Sequence, residues 1–284
     1  MSDPTRPAGA VTRAVNLTDP RPGPTLRAWL AERPFTLGLS SGFFGFFAHA
    51  GVLSVLEDEG LLPAAIAGSS AGALTGGLWA AGLDAGRIAD LYLGLRKADF
   101  WDPAPGPGLL RGARFRGLLR AVTPVRELEE CRCPLALSAF DLLRMRTRVL
   151  RTGGWVESVY ASCAVPLMFR PIRIGRGWYV DGGLADRPGL RGVEPGTRVF
   201  YHHLAVGGRG RTHPATGLPA RDNMASLIIT GLPRPAPDSL ALAGPALAAA
   251  RDATRRALDR PLAAGMVTLA ARARERASLM AAAS

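Results

Sequence analysis

The chain opens its ordered part with two short apolar runs that have the length of buried strands, residues 35–39 and 64–67. Each run is followed by a segment with apolar residues at helical spacing, the first from Phe46 to about Gly60 and the second over residues 73–81. A helix that follows each strand is typical of parallel sheets, since parallel neighbours need a crossover connection. This pattern predicts an α/β fold.

The remaining segments extend the same alternation. The pattern predicts a helix at 85–96, a loop or lid at 97–112, a strand pair at 134–140 and 146–150, a helix at 155–163, and strands at 178–180 and 197–206. Beyond them, Ala-rich and Arg-rich stretches at 239–260 and 262–279 predict two further helices. The expected architecture is a three-layer α/β sandwich with a mostly parallel central sheet.

Composition changes along the chain suggest four parts. Residues 1–34 form an N-terminal extension, partly disordered, with a short helix at 25–32, and the core spans residues 35–206. Residues 207–237 are rich in Gly, Pro and Arg, which predicts a linker or loop. Residues 238–284 form the Ala/Arg-rich helices, which we expect to pack on the core.

Charge indicates what the protein binds. The 284 residues carry a net charge of +12, and all but one of the basic residues are Arg, Lys97 being the exception. A basic surface favours anionic partners. No nucleic-acid-binding motif is present, so we expect no nucleic-acid partner and a peripheral contact with an anionic membrane instead. The Arg residues of 262–279 could serve that contact, or could be solvated while the helix packs on the core.

Other classes of protein are disfavoured. No run approaches the ~20 apolar residues of a membrane span, and no apolar leader precedes Asn16, so we expect a cytoplasmic protein. The three cysteines have no paired spacing, and the four histidines form no ligand cluster. We therefore expect no disulfide framework, no metal and no cofactor.

One motif carries chemistry by itself. Gly68-Ser-Ser-Ala-Gly72 matches G-x-S-x-G and lies between a predicted strand and a predicted helix. A serine on such a sharp turn is exposed at the carboxyl edge of a sheet, and the flanking glycines avoid steric clashes. The helix that follows directs its N-terminus at developing negative charge. A simple connection of small residues is the alternative explanation.

Three segments, taken in order, resemble the patatin-like phospholipase family. Residues 37–53 resemble its Gly-rich loop and following helix, with Ala48-His-Ala-Gly-Val-Leu53 at the end. The second segment is Gly68–Gly72. The third combines Ala161-Ser-Cys-Ala-Val-Pro166, Phe169-Arg-Pro171 and Tyr179-Val-Asp-Gly-Gly183. The resemblance covers about residues 35–205.

The resemblance implies a serine hydrolase of acyl lipids. Ser70 would be the nucleophile and Asp181 its base, in a dyad without histidine, with Gly182 and Gly183 completing the D-G-G motif. The backbone amides of Ser41, Gly42 and Phe43 would form the oxyanion hole. Two positions depart from the family: the loop lacks its usual Arg, and Asp186 replaces a common Asn, which we interpret as structural.

The residues leave alternatives open. A Ser-Asp-His triad would require one of His49, His202, His203 or His213 beside the dyad. Since His202 and His203 adjoin one strand, only one of them is expected to face inward. A non-catalytic relative that binds lipid or a partner would also explain the altered loop. Residues 43–47, rich in Phe, are core packing or an acyl-chain wall.

Overall fold

The computed structural model describes residues 23–205 and 215–272. Within these ranges, nine strands form one sheet in the order β5-β6-β3-β2-β1-β7-β8-β9, with β4 on β3. The strands are β1 Thr36–Leu39, β2 Ala65–Ser69, β3 Leu135–Asp141, β4 Arg146–Leu150, β5 Ile172–Ile174, β6 Gly177–Asp181, β7 Val199–His203, β8 Met224–Thr230 and β9 Met266–Ala270. Strands β3, β2, β1, β7, β8 and β9 run parallel, and β4, β5 and β6 pair antiparallel. The predicted α/β fold with a mostly parallel sheet is confirmed.

Seven α-helices accompany the sheet in the described ranges. They are α1 Leu26–Glu32, α2 Phe46–Asp58, α3 Ala71–Ala80, α4 Ala85–Leu93, α5 Ala113–Val122, α6 Trp155–Cys163 and α7 Ala243–Leu258. Their apolar side chains form the main core with one face of the sheet, represented by Leu37, Ile66 and Leu137. The other face has a smaller core, where Leu190 and Val193 pack on strand residues.

Helix α2 is buried along nearly its whole length because α7 covers it. Residues 46–56 of α2 are all buried. At Gly51 a Cβ would lie 2.5 Å from the carbonyl oxygen of Leu247 on α7, so the absence of a side chain permits the close approach. The Ala-rich face of α7 fits the same contact, since small side chains let two helices pack closely.

The C-terminal part differs from the sequence-based prediction. The expected linker at 207–237 contains β8, and the expected helix at 262–279 contains β9, so the sheet continues beyond residue 206. Ala264 and Gly265 both have positive φ, which turns the chain and prevents a helix through this point. Pairing of β9 with β8 then outweighs the helix propensity of the Ala-rich stretch.

Membrane-spanning segments were also sought in the described ranges. There, no helix combines the length and apolar character that crossing a membrane requires. Arg274 and Arg276, in the stretch considered for membrane contact, lie outside the described residues.

Candidate active site

Ser70 occupies a strained turn between β2 and α3. Its backbone has φ 51° and ψ −116°, a conformation that non-glycine residues rarely adopt. Such strain costs of order 1–3 kcal/mol and persists only where the surrounding structure enforces it. Here β2 is held between β1 and β3, and α3 starts at the next residue. The turn therefore presents the serine side chain at the carboxyl edge of the sheet.

The glycines of the G-x-S-x-G motif are required by close packing. A Cβ at Gly72 would lie 2.1 Å from the carbonyl oxygen of Leu39 at the end of β1. A Cβ at Gly68 would lie 2.7 Å from the carbonyl carbon of Gly72 itself. Any side chain at either position would push α3 away from the sheet. The motif thus sets the distance between the serine turn and the neighbouring strand.

Strand pairing brings Asp181 to the serine turn. Strands β2 and β6 pair along the same edge of β3 from opposite directions, with Ser69 beside Ser138 and Asp181 beside Ala139. Their C-terminal ends therefore meet one residue apart on β3. A separation of 111 residues along the chain becomes a direct contact.

The contact is a hydrogen bond from Ser70 Oγ to Asp181 Oδ2, 2.6 Å long. The backbone N–H of Gly183 donates to the other carboxylate oxygen, Oδ1, at 2.7 Å. A Cβ at Gly183 would lie 2.9 Å from that oxygen, and one at Gly182 would lie 2.0 Å from the carbonyl oxygen of Ser138. The D-G-G sequence therefore lets the chain turn tightly around the carboxylate.

Burial makes Asp181 a stronger base than an ordinary aspartate. Its side chain is only 6% exposed, and removal from water raises its pKa to about 6. The hydrogen bonds from Ser70 and from the Gly183 amide favour the charged form and partly offset that rise. Above about pH 6 the carboxylate is ionised and able to accept the serine proton.

Ser162 belongs to the third segment of the resemblance, which assigns it no role, and the structure places it against the Ser70 turn. Its Oγ accepts a hydrogen bond from the backbone N–H of Ser70 at 3.0 Å and donates to the carbonyl oxygen of Ser138 at 2.6 Å. Ser162 is fully buried on α6. It therefore fixes the strained turn to β3, a role that spacing along the sequence gives no sign of.

The Gly-rich loop after β1 reaches the same site. Gly42 and Phe43 line one cavity together with Ser70. Ser41 does not fit the predicted oxyanion hole, because its N–H donates to the carbonyl oxygen of Arg187 at 2.8 Å and is already used. Gly42 packs so closely on Leu204 that a Cβ would lie 2.6 Å from its Cδ1. Of the three residues predicted for the oxyanion hole, Gly42 and Phe43 line the cavity beside Ser70.

Beside Ser70 lies an apolar cavity of about 840 Å³, part of it open to solvent. The Phe-rich segment contributes to the core and to the cavity, since Phe47 is fully buried while Phe44 and Phe46 line the cavity. Further walls come from residues of three helices and of the segment after α6, among them Leu74, Tyr92, Leu118, Leu119, Val165, Met168 and Phe169. The chemistry of the walls suits an alkyl chain.

Helix α5 supplies one wall and was missed from the sequence. Its apolar residues Phe115, Leu118, Leu119 and Val122 follow the i, i+3, i+4, i+7 spacing of an amphipathic helix, and this signal could have identified it. The preceding loop, considered as a lid, is tied down at Leu109 and Leu110. Their N–H groups donate to the carbonyl oxygens of Leu167 and Met168 at 2.9 and 2.7 Å.

The described histidines are engaged away from the dyad. His49 contacts the Ser40 carbonyl oxygen through Nε2 and His202 Nδ1 through its own Nδ1, both at 2.8 Å. His203 lies 3.4 Å from the Tyr201 hydroxyl. The prediction that only one of His202 and His203 faces inward is wrong, because β7 lies inside the sheet and both of its faces are covered. His213 lies outside the described residues.

Asp186 forms a separate buried network. Its carboxylate accepts hydrogen bonds from the Ser138 hydroxyl and from the N–H groups of Gly189 and Arg191, at 2.6, 3.1 and 3.0 Å. These contacts hold the segment after the D-G-G turn against β3. The geometry agrees with a structural role.

Known proteins resemble this chain in sequence and in fold. An uncharacterised NTE family protein of Mycobacterium bovis is 31% identical over 155 residues, which are 53% of this chain and 42% of that protein. A second such protein, from Mycobacterium tuberculosis, is 28% identical over 160 residues, 55% of this chain and 27% of the relative. The match thus spans less than half the length of these relatives.

The fold is similar to the crystal structure of VipD from Legionella pneumophila, with a TM-score of 0.57 and 16% identity. That similarity covers 80% of this chain and 67% of VipD. The model of the patatin-like phospholipase family matches residues 37–193, more than half of the chain. The matched stretch includes both Ser70 and Asp181, and the chain belongs to the patatin-like phospholipase family.

Proposed function

We propose that this protein is a serine acyl hydrolase that cleaves carboxylic esters of acyl lipids through a Ser70–Asp181 dyad. The observation that carries the proposal is the 2.6 Å hydrogen bond between the two side chains, formed on a strained turn beside an apolar cavity. Nucleophile and base within hydrogen-bond reach are the arrangement that activated hydroxyls require. Membership of the family supports the same reaction.

In the first half-reaction, the Asp181 carboxylate accepts the hydroxyl proton while Ser70 Oγ attacks the ester carbonyl carbon. The carbonyl π electrons move to oxygen, and the N–H groups of Gly42 and Phe43 stabilise the oxyanion. Such donors contribute roughly 3–4 kcal/mol each in other hydrolases. The intermediate then collapses, and the leaving oxygen takes the proton from Asp181, so that the alcohol departs and Asp181 is a carboxylate again.

In the second half-reaction, Asp181 accepts a proton from water, and the resulting hydroxide attacks the acyl-serine carbonyl. Collapse breaks the bond to Ser70 Oγ, which recovers the proton from Asp181, and a free fatty acid leaves. One carboxylate performs both proton transfers, because it contacts Ser70 Oγ directly. A pKa of about 6 suits a base that works near neutral pH.

The cavity supports a lipid substrate. Its walls are almost entirely apolar, and Ser70 is among the residues that line it. Burial of an alkyl chain against these walls gains about 0.8 kcal/mol per methylene. Binding of the alkyl chain in this cavity would also position the ester at the dyad, since Ser70 lines the cavity.

The test is hydrolysis of a panel of phosphatidylcholine, lysophosphatidylcholine, triacylglycerol and p-nitrophenyl esters. Ser70→Ala should abolish turnover and labelling by a fluorophosphonate while leaving the fold intact. Ser54→Ala is the matched control, because it removes another buried hydroxyl, one that bonds only to Gly51 within α2. Full turnover in pure Ser70→Ala would refute the nucleophile. Absence of labelling in the unmodified protein would favour a non-catalytic relative that binds lipid.

A further inference from the structure

A basic groove lies at the edge of the sheet that carries β4 and the β5–β6 hairpin. Five arginines line it: Arg144, Arg146, Arg148, Arg151 and Arg176. Asp141 is the one acidic residue of the lining. The groove therefore holds an excess of four positive charges in a small area.

Three of these charges have no counterion in the part of the chain that the structure describes. Arg144 donates to the buried Asp141 carboxylate at 2.9 Å, and Arg151 lies 3.9 Å from Glu194. Arg146, Arg148 and Arg176 make no ion pair within residues 23–205 and 215–272. Like charges held close together repel each other, and an anionic partner would relieve that repulsion.

Apolar side chains project beside the groove. Leu143 and Met145, in the β3–β4 turn, are 62% and 71% exposed, and Trp178 on β6 is 44% exposed. The N–H of Leu142 donates to the Trp178 carbonyl oxygen at 2.8 Å, so the turn and β6 form one surface. Exposed Leu, Met and Trp beside Arg match the apolar and anionic layers of a lipid interface, whereas the backbone of a nucleic-acid duplex offers phosphate without an apolar layer for Leu and Met to enter.

The groove lies near the candidate active site along the sheet. Arg148 on β4 pairs with Ala139 on β3, which pairs with Asp181 on β6. Two strand spacings separate the arginine from the proposed base, about 10 Å between their backbones. A headgroup layer held against the groove would therefore lie beside the dyad.

We propose that the groove arginines and the apolar β3–β4 turn form the surface by which this protein docks on anionic phospholipid bilayers. This surface replaces the stretch at 262–279, where the structure has a sheet strand in place of the expected helix. The three unpaired arginines contact lipid phosphates, while Leu143 and Met145 enter the acyl boundary. The proposal concerns binding and does not depend on the hydrolytic chemistry.

Vesicle co-sedimentation tests the proposal, with Ser70→Ala as the background so that vesicles stay intact. The groove variant carries Arg146→Gln, Arg148→Gln and Arg176→Gln. Each basic residue at an anionic surface contributes about fivefold to binding, so we expect a decrease of about a hundredfold on mixed phosphatidylcholine and phosphatidylglycerol vesicles. Leu143→Asn with Met145→Asn should also weaken binding, and Asn tolerates the φ of 49° at Met145.

The control variant removes the same charge elsewhere, through Arg87→Gln, Arg126→Gln and Arg260→Gln. These residues are exposed, line none of the groove and make no ion pair in the described ranges. The control should bind within about threefold of the parent. An equal loss in both variants would show that net charge alone attracts the protein, and unchanged binding of the groove variant would overturn the proposal.

Two further measurements identify the occupant. Binding of pure phosphatidylcholine vesicles as strong as that of the mixture would overturn the electrostatic assignment. If the groove variant loses affinity for an RNA oligonucleotide but keeps its affinity for vesicles, the groove is a nucleic-acid site.

With the original Ser70 present, hydrolysis of a water-soluble p-nitrophenyl ester should be unchanged by the groove substitutions. That measurement separates failure of the docking surface from failure of the dyad.

Discussion

Replacing Asp181 by Asn should inactivate the protein and stabilise it. Asn has the size of the protonated carboxyl and carries no charge to bury. Its Oδ1 can keep the hydrogen bond from the Gly183 N–H, while its Nδ2 donates to Ser70 Oγ, whose hydroxyl rotates to accept. The variant therefore keeps both contacts and loses the proton acceptor. Catalysis and stability should change in opposite directions.

The pKa shift gives the magnitude. Burial raises the pKa of Asp181 from 3.8 in the unfolded chain to about 6, so the folded state binds protons more tightly. This contribution to stability is present below pH 3.8 and is lost as the pH rises through 6. Linkage gives a cost of about 3 kcal/mol at pH 8 and about 1.6 kcal/mol at pH 5. The asparagine variant escapes this cost at both pH values.

Urea unfolding followed by tryptophan fluorescence measures the difference. At pH 8 the free energy of unfolding of Asp181→Asn should exceed that of the parent by up to about 3 kcal/mol, and the gap should narrow by about half at pH 5. Asp186→Asn is the matched control, because every donor around that carboxylate except the Ser138 hydroxyl is a backbone N–H. Its amide would face a backbone donor in either orientation, so it should destabilise by about 1–3 kcal/mol.

The reasoning would be refuted by an Asp181→Asn variant that is no more stable than the parent at pH 8. A gap that is the same at pH 5 and pH 8 would also contradict it, because charge burial is the only part of the argument that depends on pH. Equal effects of Asp181→Asn and Asp186→Asn would show that both carboxylates are structural.

Three other predictions follow from the site. For a soluble ester, kcat/KM should rise about tenfold per pH unit below pH 6 and level off above it, as Asp181 ionises; a flat profile from pH 4 to 8 would contradict its role as base. Ser162→Ala should lower kcat about fivefold to tenfold with little change in KM, because the Ser70 N–H loses its acceptor, whereas Ser158→Ala on the same helix should have no effect. Leu118→Trp should fill part of the cavity and lower kcat/KM for long-chain relative to short-chain esters, whereas Leu118→Ala should not. If the long-chain to short-chain ratio of kcat/KM is the same in the two variants, the acyl chain binds elsewhere.

Local sequence patterns predicted the secondary structure correctly wherever the preference of a segment agreed with its surroundings in the fold. The strand at Thr36–Leu39, the helix at Phe46–Asp58 and the helix at Trp155–Cys163 all occur where periodicity predicted them. Their apolar positions face the core, so pattern and burial agree. The G-x-S-x-G turn was equally local, since the two glycines and the serine lie within five residues.

Prediction failed where distant pairing outweighed local preference. The stretch 262–279 is Ala-rich and was predicted as a helix, yet its residues 266–270, which include Val267 and Thr268, form a strand because β8 offers an unpaired edge. The strand at 224–230 was hidden within a Gly/Pro/Arg-rich stretch, although its apolar run from Leu227 to Ile229 was visible. Its place in the sheet depends on parallel pairing with β7, and the sequence of the strand itself does not specify that partner.

The sequence by itself determined which residues carry the candidate chemistry, because the motifs around Ser70 and Asp181 are short and ordered. Only the tertiary structure decided their geometry. The meeting of β2 and β6 on β3 places the carboxylate 2.6 Å from the hydroxyl, and the surrounding burial raises its pKa. Likewise the Ser41 amide is used by Arg187, a contact across 146 residues. Distances and burial arise from packing between remote segments, and linear spacing does not encode them.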